Sequence, residues 1–123
     1  MYVLDSSALI ELIQLGPRSQ KIIELARGEL AMTTAISLHE TLSGSSQKGE
    51  FAVQNLAQNI DIMPFTKEDA ITSASIFRQL AKQGKKINAL DILIAGICIS
   101  KKATLITLDN DFKRVPGLKV VGV

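Results

Sequence analysis

The stretch Tyr2-Val3-Leu4-Asp5-Ser6-Ser7-Ala8-Leu9-Ile10-Glu11-Leu12-Ile13 decides the reading of the fold. Tyr2, Val3 and Leu4 form a short uninterrupted apolar run, the pattern of a strand buried on both faces. From Ala8 onward Leu9, Ile10, Leu12 and Ile13 recur at helical spacing, and Ser6 and Ser7 offer that helix an N-cap. A strand that passes directly into a helix opens a β-α unit, with Asp5 at the junction.

The alternation continues along the chain. Gly16 and Pro17 break the first helix, and Pro17 suits the start of a second. Ile22, Ile23, Leu25 and Ala26 give the second helix its apolar face, and Gly28 ends it. Residues 30–33 read as a strand. Residues 37 to about 46 and 50 to about 58 form a helical pair around Gly49. Residues 60–64 form a third strand, stopped by Pro64. Thr66-Lys67-Glu68-Asp69 carries N-cap and acidic first-turn signals for a helix that runs to Gly84. Residues 85–88 are a polar loop, and 89 to about 102 a strongly apolar helix whose C-terminus suits Lys101 and Lys102. Residues 104–108 are a fourth strand, 109–114 a turn or short helix, and 118–123 a last strand. This order predicts an α/β sandwich around a parallel sheet with right-handed crossovers.

The 123 residues suit one domain spanning 1–123, and 46% hydrophobic with 21% charged residues is a globular composition. Aromatics are 4% and Trp is absent, so the core must be built from Leu, Ile, Val and Ala. A net charge of +2 names no partner, and a dedicated double-helix binder is usually more basic. Cys98 stands alone, cannot form an internal disulfide and favours a reducing compartment. The first residues lack the basic stretch and apolar core of a signal peptide. The longest apolar run, residues 92–99, falls far short of the roughly 20 needed to span a bilayer. The expectation is a cytoplasmic protein with no membrane partner.

Twelve residues are acidic. Glu24, Glu29, Glu50, Asp61, Glu68 and Asp69 fall on polar helix faces or element ends and are expected in water. Asp5 ends the first strand, on the edge where open α/β sheets bind ligands, or else caps the next helix. Asp109 ends Leu105-Ile106-Thr107-Leu108 in the same way, with Asp111 two residues on, or else serves the turn. Asp91 opens the most apolar helix, where a carboxylate is costly unless it caps, pairs or meets a cation. Glu40 lies in the first turns of the helix after the second strand, where a plain surface glutamate is the alternative.

Taken together, four separate segments each bring one carboxylate to one end of one sheet. Like charges so placed raise one another's pKa, and a divalent cation relieves them. An oxygen-only donor set suits Mg²⁺ or Mn²⁺. No zinc cluster competes, since His39 and Cys98 are the only residues of their types; His39 is next to Glu40 on a helix and so points elsewhere, and Cys98 reads as core. Such a site suits phosphate chemistry: the cation acidifies an attacking water and neutralises phosphodiester charge, a second ion could assist, and one carboxylate could be a general base.

With these residues the chain resembles the PIN-domain nucleases, in particular the toxin half of VapBC-type toxin–antitoxin modules. Val3-Leu4-Asp5-Ser6-Ser7-Ala8-Leu9-Ile10 looks like the first motif, with Asp5 its acid and Ser7 its hydroxyl position. Ser37-Leu38-His39-Glu40-Thr41 is similar to the second, with Glu40 its acid. Asp91-Ile92-Leu93-Ile94-Ala95 looks like the third, with Asp91 its acid. Leu105-Ile106-Thr107-Leu108-Asp109-Asn110-Asp111-Phe112 looks like the fourth, offering Asp109 or Asp111, with Thr107 as a supporting hydroxyl. The resemblance implies a three-layer α/β/α sandwich with a five-stranded parallel sheet, first and fourth strands adjacent. It further implies RNA hydrolysis with one or two Mg²⁺ or Mn²⁺ ions, a homodimer, and a cognate antitoxin whose C-terminal segment covers the site. Lys85, Lys86, Lys113 and Arg114 are candidates to hold the RNA backbone; otherwise they are simply solvated. With so few aromatics, recognition is expected to rest on backbone and RNA shape.

Rival families fit less well. A response-regulator receiver needs a phosphorylatable Asp ending the third strand, where this chain has Ile62-Met63-Pro64-Phe65. A haloacid-dehalogenase-type phosphatase needs Asp-x-Asp, where Asp5-Ser6-Ser7 lacks the second acid. A non-catalytic interaction module on the same scaffold would have no need of the four acids.

Overall fold

The computed structural model describes residues 1–27 and 31–123, so Gly28, Glu29 and Leu30 lie outside the described residues. In chain order the elements are β1 (Tyr2–Leu4), α1 (Ser6–Ile13), α2 (Ser19–Leu25), β2 (Ala31–Thr34), α3 (Ala35–Ser43) and α4 (Gln47–Ala57). β3 (Asp61–Met63), α5 (Lys67–Lys82), α6 (Ala89–Ser100), β4 (Thr104–Thr107), a 3₁₀ turn (Asn110–Arg114) and β5 (Lys119–Gly122) complete the described chain.

The strands form one parallel sheet in the order β3-β2-β1-β4-β5. The chain runs outward from β1 to β3, then returns to place β4 on the other side of β1. The sheet therefore changes winding direction between β1 and β4, the switch point at which open sheets of this kind bind ligands. Val3 is in register with Leu105 and Leu4 with Ile106, and the amide of Asp5 donates to the carbonyl of Ile106 at 3.2 Å. That register sets the ends of β1 and β4 side by side.

Alternation along the strands makes the three layers. Val3 and Leu105 point to one face and pack with Ile94, Ile97 and Cys98 of α6. Leu4 and Ile106 point to the other and pack with Ala8 and Leu9 of α1 and Ile22 of α2. Each such fully buried aliphatic side chain contributes about 1.5–3 kcal/mol. α5 covers α6 through Ile76, Leu80, Ile92 and Ala95. The two helices cross closely at Gly96, where a Cβ would come within 2.7 Å of the Ser73 Cβ. Among the described residues, no helix is long and apolar enough to cross a membrane.

Several local expectations need correction. The N-cap of α1 is Asp5, the alternative weighed for it above, rather than Ser6 or Ser7, because the Asp5 side chain accepts the amide of Ala8. Gly49 lies inside α4: the break falls earlier, at Gly44, and Ser46 caps α4 by accepting the Gly49 amide at 3.2 Å. α2 starts two residues after Pro17 and ends at Leu25. α5 stops at Lys82 and α6 at Ser100, each followed by one residue in the left-handed region, Gly84 at φ 67° and Lys102 at φ 56°. Asp69, expected in water, has no exposed surface. Its capping-box role turns the carboxylate inward to the Thr66 amide at 2.9 Å, where the Ser100 hydroxyl and the Lys101 ammonium at 3.2 Å also meet it. Burial works to raise the Asp69 carboxyl, but these donors outweigh it and hold it below the usual range.

Candidate active site

Each candidate acid is set by a local signal at the C-terminal edge of the sheet. Asp5 leaves β1 in extended conformation and caps α1. Thr34 ends β2 and caps α3 through the Ser37 amide at 2.9 Å, which starts the helix carrying Glu40. The Asn88 side chain accepts the Leu90 amide at 2.8 Å and so starts α6 with Asp91 in its first turn. Asp109 leaves β4 and caps the 3₁₀ turn through the Asp111 amide at 2.9 Å.

Asp5 is the most buried of the candidates, 3% exposed. Its Oδ1 accepts the Ser7 hydroxyl at 2.6 Å and the Ala8 amide at 2.9 Å, and its Oδ2 accepts the Thr107 hydroxyl. Ser7 and Thr107 also tie in the fourth strand: the Leu108 amide donates to Ser7 at 3.0 Å and the Asp109 amide to Thr107 at 2.9 Å. Burial raises the pKa of Asp5 more than these bonds lower it, and the charge of Asp109 adds to the rise.

Glu40 is half-buried, with the Ser6 hydroxyl 3.5 Å from Oε1. Its pKa is raised by burial and then by the charge of Asp5. Asp91 is pushed up to about 6 by burial and then by the charges of Glu40, Asp109, Asp5 and Asp111. The acids named from sequence therefore face one region and repel one another across it. Among the described residues, no three His, Cys, Asp or Glu side chains stand close enough to enclose an ion by themselves.

Asp111 is exposed and paired with Arg114 at 2.8 Å, which ties up two sequence candidates in one ion pair. Lys113, Lys85 and Lys86 are exposed. His39 is exposed too, and its only bearing on the cluster is a lowering influence on Glu40. Cys98 is buried and its thiol pushed up to about 12 by burial, as an inert core residue. Sequence reasoning gave Ser6 only a capping role and Asn88 only a place in the polar loop, where the structure sets Ser6 against Glu40 and makes Asn88 the cap of α6.

Residues 2–118 match the family model of the PIN domain, and the chain belongs to that family. It is 27% identical to the tRNA(fMet)-specific endonuclease VapC of Shigella flexneri over 126 residues, covering 96% of this chain and 94% of that one. It is 43% identical to ribonuclease VapC1 of Rickettsia felis over 63 residues, a match to 50% of this chain that spans only 47% of the relative. Among solved structures, VapBC2 from Rickettsia felis bound to a promoter DNA fragment superposes with TM-score 0.87 at 24% identity, covering 99% and 98% of the two chains. DNA-bound VapBC from Salmonella typhimurium follows at TM-score 0.86 and 22% identity, covering 98% and 96%. At those identities the structures speak for the fold alone.

Proposed function

We propose that this PIN domain is a metal-dependent endoribonuclease, with Asp5, Glu40, Asp91 and Asp109 as its site, and the toxin of a toxin–antitoxin pair. The observation that carries the reading is the convergence of carboxylates from four separate segments at one end of the sheet, where burial first and then their mutual repulsion push Asp91 up to about 6. A nuclease activity is supported by relatives named as ribonucleases and endonucleases, and an antitoxin partner by similar folds solved as VapBC complexes. A homodimer acting on RNA in the cytoplasm belongs to the same reading.

The donor set fits Mg²⁺ or Mn²⁺. The donors are carboxylate oxygens, and an ion with few protein ligands that completes its shell with water is the habit of Mg²⁺. Asp5, Glu40, Asp91 and Asp109 would hold one or two ions, with Asp111 at the margin where Arg114 competes for it. When bound, the ion acidifies the attacking water and offsets charge on the phosphodiester.

The chain's own residues do the rest. Ser7, Ala8 and Thr107 occupy three of the roughly four acceptor sites of Asp5 and fix its carboxylate in place. Whichever of these carboxylates does not ligate the ion is the group suited to take the proton of the attacking water. The test is cleavage of a structured RNA pool with Mg²⁺, with Mn²⁺ and with EDTA, beside Asp5→Asn. Cutting that needs the metal and vanishes in the variant is the expected result. A folded Asp5→Asn protein that cuts as fast as the wild type removes the assignment.

A further inference from the structure

Outside the acidic cluster, α5 and the loop that follows it border a groove of about 460 Å³, within the range of small-molecule sites. Phe77 and Ala81, one turn apart on α5, line it together with Ile87, Ile92 and the exposed Lys85 and Lys86. Ile92 follows Asp91 on α6 and packs toward α5, so the groove and the candidate site lie on different faces of the same helical turn.

Three features suit this groove to a charged, planar ligand. The Phe77 ring is 60% exposed although it lines a cavity, so a ring face is open to stacking. Lys85 and Lys86 are exposed and, among the described residues, neither enters an ion pair, unlike Lys101 and Arg114. The loop is also held in shape. With Gly84 at φ 67°, the Gly84 amide donates to Ala81 at 3.1 Å and the Lys85 amide to Leu80 at 2.9 Å, a Schellman ending that fixes where the lysines emerge.

We infer that this groove holds one base of single-stranded RNA stacked on Phe77, with the flanking phosphates on Lys85 and Lys86. The inference rests on the nuclease reading for its substrate class and adds a subsite outside the acidic cluster. Aromatic stacking with lysine contacts to the backbone is how single strands are held without sequence readout. A long acidic peptide would satisfy the lysines but would leave the ring face unused.

The experiment is binding of a fluorescein-labelled oligouridylate in EDTA, which prevents cutting, as a function of salt. Phe77→Ala and Phe77→Leu are each expected to weaken binding about ten-fold, and Phe77→Trp to retain it. The double variant Lys85→Ser, Lys86→Ser is expected to reduce the salt slope by about 1.4, two backbone contacts' worth. Abasic oligonucleotide is expected to bind wild type and Phe77→Ala alike. Unchanged affinity and slope in these variants, or no binding by the wild type, overturns the subsite. So does a Phe77→Ala protein that sediments at a smaller oligomeric size than wild type, which would assign the ring to a protein interface. Metal-dependent cutting with Phe77-independent binding removes the subsite and leaves the nuclease standing; Phe77-dependent binding without cutting under any metal does the reverse.

Discussion

Thr107 donates its hydroxyl to Oδ2 of Asp5, joining the tips of β4 and β1 across 102 residues of sequence. Oγ1 of Thr107 in turn accepts the amide of Asp109 at 2.9 Å, so one buried hydroxyl fixes two candidate acids at once. Adjacent parallel strands make this possible, because their register brings Leu4 beside Ile106 and so sets Asp5 next to Thr107.

Thr107→Val keeps the shape and removes the hydroxyl. It leaves an amide unpaired and frees one side of Asp5, for an expected loss of about 1–2 kcal/mol in urea unfolding. Turnover should fall with it, while Thr107→Ser retains most of both. Wild-type stability and cutting in Thr107→Val would show that Asp5 needs no such support.

The crowded acids give the metal-free protein a defined pH dependence. Asp91 has its folded pKa raised from 3.8 to about 6, so the folded state holds a proton that the unfolded state has already released. Between about pH 4 and pH 6 stability therefore falls as pH rises, and levels off above. Asp69 acts oppositely: its folded pKa is lowered, so its contribution is present above the ordinary 3.8 and lost as the solution becomes more acid than that. Asp91→Asn should stabilise the metal-free protein by ~1 kcal/mol at pH 7, allowing for solvent screening of a half-exposed group. Unfolding curves at pH 5 and pH 7 for both proteins check the sign.

Divalent cation should reverse that cost. Mg²⁺ or Mn²⁺ at about a hundred times its dissociation constant is expected to add about 2.7 kcal/mol to wild-type stability. The gain should shrink in Asp91→Asn and Asp5→Asn, and Ca²⁺-free melting scans against metal concentration would read it directly. A melting temperature insensitive to either ion would remove the metal from the proposed site.

Gly96 permits the close crossing of α5 and α6. Gly96→Ala places a Cβ 2.7 Å from the Ser73 Cβ and 3.0 Å from the Asp69 carbonyl oxygen, so the helices must part. The expected cost is about 1–3 kcal/mol. Since α6 carries Asp91, cutting should weaken too, and the smaller neighbour in Ser73→Gly should recover part of the stability.

Lys102 at φ 56° and Leu15 at φ 50° end their helices in the left-handed conformation without being glycine. Each sits in a Schellman ending: Ala103 donates to Cys98 at 2.8 Å and Gly16 to Glu11 at 2.9 Å. Lys102→Gly and Leu15→Gly should each stabilise by about 0.5–1 kcal/mol, since a side chain is strained there. Neither residue belongs to the proposed site, so cutting should be unaffected.

The chain by itself determined the order of strands and helices, and with them the placing of Asp5, Glu40, Asp91 and Asp109 at element junctions. Those features depend on hydrophobic period and on caps, which are properties of neighbouring residues. The PIN-like motifs and the Thr66–Asp69 capping box were legible for the same reason. Asp69 shows where that reasoning stops: its local pattern is that of a first-turn acid in water, and only the packing of α5 on α6 buries it against Ser100 and Lys101. Gly49 shows a smaller case, since Ser46 gives its amide a partner and the helix begins earlier than a glycine suggests. The Thr107–Asp5 bond, the burial and repulsion that raise Asp91 and the groove beside Phe77 were decided by tertiary structure alone. Each depends on groups from different segments meeting in space, and the free energy of such a meeting is set by burial and distance, which no stretch of sequence contains.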